Sequence, residues 1–186
     1  MEKIVFLDRD GVINRYPGDT KYVTSLKEFR FLPRVKIALV RLTKAGCRIF
    51  IVSNQAGVTK GVYPQQELDK ITSRMLEALA KFKVKIDGVY YCVHRKEDDC
   101  SCRKPKTGSL KKALGEHSIP RSLLKNAFFV GDTISDVQTG RNAGCKTILV
   151  FSGKEKAKNS SFWDIKPDFT ARDLYQASDI ILGRVR

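Results

Sequence analysis

With 186 residues, 42% of them hydrophobic and 30% charged, the chain is long enough for one domain whose core needs no disulfide staples. That composition excludes a disordered protein or a fibre, and no apolar run approaches the roughly 20 residues that cross a bilayer. The 35 basic residues against 20 acidic ones, a net charge of +15, favour an anionic partner such as a phosphorylated metabolite.

In chain order, Ile4 to Leu7 reads as a buried strand, and its four-residue apolar run is too short for a signal-peptide core, which points to the cytoplasm. Pro33 to Ala45 reads as a helix with Val35, Leu39 and Leu42 on one face and Gly46 as its stop. Arg48 to Ser53 is the next strand. A second helix starts near Pro64 with Leu68, Ile71, Met75, Leu79 and Phe82 on one core-facing stripe. Val89 to Val93 reads as a strand, Leu110 and Leu114 mark a helix, and Ala127 to Val130 is a further strand. A helix over Ile134 to Ala143 and a strand over Lys146 to Phe151 follow. Ser152 to Ser161 reads as a loop, and the tail as one more short strand and helix. Short apolar runs alternating with amphipathic stretches predict an α/β fold, a mostly parallel sheet flanked by helices, in a single domain over residues 1–186. These elements use most of the intervals from Asp8 to Ser53 and from Ser53 to Lys104, leaving no room for a cap domain. The segment Arg15 to Val23 and a cysteine-rich loop are left to wall the site.

Polar residues recur just after the strands, at the edge of a parallel sheet where ligands bind. In Asp8-Arg9-Asp10-Gly11 the two acids, two apart, point to one side while Arg9 faces away. Paired carboxylates suit Mg²⁺, although alone such a run is equally compatible with a polar turn. Ser53-Asn54-Gln55-Ala56-Gly57 offers a hydroxyl, amides and main-chain N–H groups to a phosphate. Arg103-Lys104-Pro105 offers a cation for a phosphoryl oxygen. Asp132 follows the fourth strong strand and could complete a metal site, with Asp136 either outside it through water or simply in the first helical turn. Acid pair, hydroxyl and amide, lysine and acid, in that order, suit phosphoryl transfer to a carboxylate nucleophile. No arginine-rich block or aromatic-interleaved basic stripe is present, which argues against nucleic acid as the partner.

Five cysteines, an odd number, do not suggest a disulfide framework. Cys47 and Cys145 fit small buried positions. Cys92, His94, Cys100 and Cys102 match a closed tetrahedral zinc site over about residues 92–102. The redox alternative lacks a Cys-x-x-Cys at a helix start. Such a zinc would staple the charged run Arg95 to Asp99 and support Arg103 and Lys104. His117 reads as a surface residue.

The runs Phe6-Leu7-Asp8-Arg9-Asp10-Gly11-Val12-Ile13-Asn14, Ser53-Asn54-Gln55-Ala56-Gly57, Cys102-Arg103-Lys104-Pro105 and Gly131-Asp132 resemble the haloacid dehalogenase superfamily along essentially the whole chain. The closest likeness is to the branch of the D-glycero-D-manno-heptose 1,7-bisphosphate and histidinol-phosphate phosphatases. The resemblance implies a Rossmann-like domain with Asp8 as nucleophile and Asp10 as general acid and base. It also implies Mg²⁺ on Asp8, Asp132 and the main-chain carbonyl of Asp10. Ser53, Asn54 and Lys104 would hold the phosphoryl group, with Gln55 in the same loop, and Arg103 would contact substrate. This branch carries a zinc loop of the kind just described. The implied reaction is removal of the C7 phosphate from a heptose bisphosphate, a small sugar phosphate, by a monomeric enzyme. Histidinol phosphate is the next substrate, followed by a 3′-phosphorylated nucleic-acid end. A non-catalytic protein on the same fold is opposed by the intact set Asp8, Asp10, Lys104 and Asp132.

Overall fold

The computed structural model of the protein describes residues 3–184. Strands β1 (Ile4–Leu7), β2 (Arg48–Asn54), β3 (Gly88–Cys92), β4 (Phe128–Gly131), β5 (Lys146–Val150) and β6 (Phe169–Ala171) form one sheet. Their order is β3-β2-β1-β4-β5-β6, and every pairing is parallel. Helices α1 (Val35–Lys44), α2 (Gln65–Ala80), α3 (Gly108–Glu116), α4 (Ile134–Ala143) and α5 (Leu174–Ile181) connect and cover it. The chain walks outward from β1 to β3, then crosses back to β4 beside β1. A crevice opens at that reversal, outside the carboxyl ends of the strands.

Alternation along the strands builds two cores. Val5 and Leu7 join Ile49 and Ile51 against Leu39 and Leu42 of α1, Met75 of α2 and Leu174 of α5. Ile4 and Phe6 face the other way, with Phe50, Phe129 and Leu110 and Leu114 of α3. The Phe6 ring centroid lies 5.6 Å from that of Phe50 and 6.3 Å from that of Phe129, so three adjacent strands are tied by one aromatic row. Truncating such a buried ring costs about 3–5 kcal/mol.

Between β1 and α1 the chain runs as loop, with isolated bridges joining Asp10 to Asn14 and Asn14 to Phe31. The described residues contain no inserted cap. Two expectations are corrected. Phe82 is 49% exposed, because α2 ends at Ala80 and Val84, bonded back to Leu79, takes the inward place. His117 is half-buried: its ring packs edge-on at 5.0 Å from Phe50, and Nδ1 lies 2.9 Å from an Arg48 guanidinium nitrogen. Cys47 and Cys145 are buried, and burial pushes the Cys145 thiol up to about 12.

Candidate active site

The register of the sheet brings three candidate residues to neighbouring strand ends. Leu7 pairs with Ile51 on one side and Val130 on the other. Asp8 therefore sits one step below Ser53 and Asp132 on the flanking strands, and its amide donates to Val130 at 2.9 Å. Gly11, at φ +82°, and Gly153 both press on Asp132: a Cβ at either would run into its carboxylate. The main-chain N–H of Lys154 donates to Asp132 Oδ2 at 2.7 Å.

Lys104 reaches these strand ends from the loop after β3. Its main chain is clamped by Asn54, whose Oδ1 accepts from the Lys104 amide at 3.1 Å and whose Nδ2 donates to the Lys104 carbonyl at 3.3 Å. The buried ammonium lies 2.9 Å from Asp8 Oδ1 and 2.6 Å from Asp136 Oδ1, and donates to the Val52 carbonyl at 3.1 Å. The other Asp136 oxygen accepts from the Thr133 amide at 3.0 Å and hydroxyl at 2.6 Å, capping α4. Asp136 thus holds the lysine and the helix start.

Burial pushes the Asp8 carboxyl up to about 6, helped by Asp136 and Asp10 and opposed by Lys104 and the Ser53 hydroxyl. Burial, then the charges of Asp8 and Asp136, hold Asp132 well above the usual carboxylate range. Burial also works against the charge of Lys104, but Asp136 and Asp8 outweigh it and hold its pKa above that of an ordinary lysine.

Asp10 is placed differently from Asp8. Its Oδ1 accepts from Arg9 Nε at 3.1 Å and Asn14 Nδ2 at 2.8 Å, and its Oδ2 from Gln55 Nε2 at 2.9 Å. Arg9 Nη2 lies 3.0 Å from both oxygens. The expectation that Arg9 faces away from both acids is corrected: its side chain is fully buried and is bonded to Asp10. The expected phosphate contact of Gln55 is revised: its Oε1 accepts from Arg9 and Tyr63, so both ends of the amide face protein behind Asp10. The run Asp8-Arg9-Asp10 suggested paired carboxylates for a metal, whereas the resemblance gave Asp10 only through its main-chain carbonyl. The acids that converge are Asp8, Asp132 and Asp136, with oxygens within 4.8 Å of one another, which leaves Asp10 its main-chain carbonyl for that purpose.

Four acids here face two cations, Lys104 and Arg9. Asp8, Asp132 and Asp136 gather their oxygens around one point with Lys104 as the cation in contact with them, an excess of acid that fits one divalent ion. An all-oxygen donor set fits Mg²⁺.

Above these groups a cavity of about 710 Å³ opens. As expected, its walls come from the segment 15–23, through Tyr16, Pro17, Lys21 and Tyr22, and from the cysteine loop, through Lys96, Asp99, Cys100 and Arg103. Sequence reasoning missed a third wall, Lys154 and Glu155 after β5. Lys154 Nζ lies 3.0 Å from Asp19 Oδ1, which also accepts from the Tyr16 hydroxyl at 2.6 Å. Gly153-Lys154 after a strong strand was the available signal. Ser53, Asn54, Arg103, Lys104 and Asp132 all line the cavity.

Beside it, Cys92, His94, Cys100 and Cys102 converge. Cys100 Sγ lies 3.5 Å from Cys92 Sγ and 3.4 Å from Cys102 Sγ, and His94 Nδ1 lies 3.3 Å from Cys102 Sγ. These are close to the edges, about 3.5–3.8 Å, of a tetrahedron with zinc at its centre. Burial opposes the charge of Cys100, but bonds from Cys102, Cys92 and main-chain amides bring its thiol down to about 7.

Residues 101–177 match the HAD-hydrolase-like family model. The chain is 35% identical, over 96% of its length and 98% of the relative's, to the D-glycero-alpha-D-manno-heptose-1,7-bisphosphate 7-phosphatase of Campylobacter jejuni. This chain belongs to that phosphatase family. A β-anomer relative, the D-glycero-beta-D-manno-heptose-1,7-bisphosphate 7-phosphatase of Haemophilus influenzae, is 37% identical over 83% of this chain and 84% of its own. The solved structure of D,D-heptose 1,7-bisphosphate phosphatase from B. bronchiseptica, complexed with magnesium and phosphate, superposes with a TM-score of 0.88. It is 30% identical and the match covers 98% of this chain and 99% of that one.

Proposed function

We propose that this chain is a Mg²⁺-dependent phosphomonoesterase that removes the C7 phosphate of D-glycero-D-manno-heptose 1,7-bisphosphate by way of an aspartyl-phosphate. The observation that carries the reading is Asp8, at a strand end, in contact with the Lys104 ammonium and beside Asp132. An Asp8 oxygen attacks phosphorus while the bond to the C7 oxygen breaks, and Asp10 gives that oxygen its proton. Asp10 then takes a proton from water, which attacks the aspartyl-phosphate and releases inorganic phosphate, restoring Asp8. Lys104 neutralises a phosphoryl oxygen, Ser53 offers its hydroxyl, and Asn54 both faces the cavity and fixes the Lys104 main chain. Arg103, which lines the cavity beside Lys104, contacts the sugar phosphate. Mg²⁺, held by Asp8, Asp132 and the main-chain carbonyl of Asp10, supplies neutralisation of the charge between carboxylate and phosphate when bound. Asp136 stays outside its direct ligands, because Lys104 and Thr133 occupy both its oxygens.

A structural zinc on Cys92, His94, Cys100 and Cys102 holds the loop that delivers Arg103 and Lys104. Every group named comes from one domain of one chain, so a monomer suffices, and thiols kept reduced for a metal suit the cytoplasm.

The test is kcat/KM with Mg²⁺ on both heptose bisphosphate anomers, histidinol phosphate and a 3′-phosphorylated oligonucleotide. The expected result is a preference of about a hundredfold or more, roughly 2.7 kcal/mol in transition-state binding, for one heptose anomer. A preference for histidinol phosphate or the oligonucleotide would replace the substrate reading while keeping the chemistry.

A further inference from the structure

We propose that Arg9 is a positioning residue for the acid–base step, holding the Asp10 carboxyl at the cavity wall and apart from the three buried acids beside it. The inference rests on the phosphatase reading above.

An arginine with no exposed surface is rare and needs a reason. Here the guanidinium grips both oxygens of Asp10 through Nε and Nη2. Nη2 also donates to Gln55 Oε1 at 3.1 Å, and Tyr63 fixes the same oxygen from the other side at 2.8 Å. The Tyr91 ring lies 5.6 Å from the guanidinium carbon. Arg9 is thus braced from behind, and the braced group is Asp10, whose side chain keeps 18% of its surface exposed on the cavity. Arg9 does not line the cavity, so it acts on substrate only through Asp10. Without it, a fourth carboxylate beside Asp8, Asp132 and Asp136 loses its local cation and is left with only the amide bonds from Asn14 and Gln55 to direct it.

The two half-reactions separate this role from a merely structural one. Nitrophenolate leaves without a proton donor, so transfer from 4-nitrophenyl phosphate to Asp8 survives misplacement of Asp10. Hydrolysis of the aspartyl-phosphate still needs Asp10 as base. Arg9→Lys keeps the charge but loses the two-pronged grip. In stopped flow it should release a burst of about one nitrophenolate per chain, then turn over at least about tenfold more slowly than the unaltered enzyme. On heptose bisphosphate its kcat should fall by a larger factor, with KM within about threefold. Asp10→Asn should give the same pattern more severely. If Arg9→Lys does not fold, Tyr63→Phe, which unbraces Gln55, is read the same way. Unchanged kinetics, or an equal loss on both substrates without a burst, overturns the role of Arg9. If the unaltered enzyme releases phosphate from neither substrate, it is the phosphatase reading that fails.

Discussion

The ammonium of Lys104 lies 2.9 Å from Oδ1 of Asp8, within one buried pocket of charge. The contact gives the lysine two tasks at different times. It offsets part of the burial penalty on Asp8, and under the proposed function it is already beside the phosphoryl oxygen that gains charge once phosphate binds. Asp136 fixes the same nitrogen, so the lysine need not move far between them.

Asp8→Asn should abolish phosphate release, by about a thousandfold or more, because an amide cannot form the acyl phosphate. The fold should survive. Since burial raises the Asp8 pKa, the neutral amide should leave metal-free stability unchanged or improved. Phosphate release and thermal melting together check this, and unchanged turnover would reject the covalent route.

Stability without metal should depend on pH in a definite direction. Asp8 is raised from 3.8 to about 6 in the folded protein, so the fold binds its proton more tightly than the unfolded chain does. That stabilisation is complete below about pH 3.8 and is lost as pH rises through about 6, a change on the order of 3 kcal/mol. Asp132 shifts in the same direction. Mg²⁺ should therefore raise Tm more at pH 7.5 than at pH 5, releasing protons as it binds. Melting curves with Mg²⁺ and with EDTA across this range would show it, and a metal effect independent of pH would count against these ligands.

Asp136→Ala removes a partner of Lys104 and the cap on Thr133. The expected loss is about 3 kcal/mol, at the low end for a broken buried pair because Asp8 still shares the lysine. Urea unfolding measures it. A change below about 0.5 kcal/mol, the range of an ordinary surface substitution, would mean that Lys104 is held elsewhere.

Freshly purified reduced protein should carry about one zinc per chain by metal analysis. Cys102→Ser should lose it and lower kcat/KM, because Cys102 adjoins Arg103 and Lys104. Finding no zinc in the unaltered protein would sink the assignment.

Strand positions were legible because each core strand is a short apolar run closed by a polar residue, and Asp8, Ser53 and Asp132 follow such runs. The helix stripe over Leu68, Ile71, Met75 and Leu79 was legible for the same periodic reason. It misled at Phe82, where the helix had already ended, since periodicity does not mark termini. The burial of Arg9 ran against the ordinary habit of arginine, and only the fold reveals that Gln55, Tyr63 and Asn14 meet around its partner. The meeting of Tyr16, Asp19 and Lys154 joins two loops far apart in sequence, and no local pattern encodes that approach.

Asp8, Ser53 and Asp132 sit at or just past the ends of strands locked together by main-chain bonds, whereas Tyr16, Arg103 and Lys154 ride on excursions between strands. Under the proposed function, the sheet therefore sets the nucleophile, while Lys104 and the groups around the sugar are set by loops. Lengthening or rewriting the stretch 15–23 should redraw the wall of the cavity while Asp8 stays where the sheet puts it. A lineage of such chains can change what it dephosphorylates without relearning how.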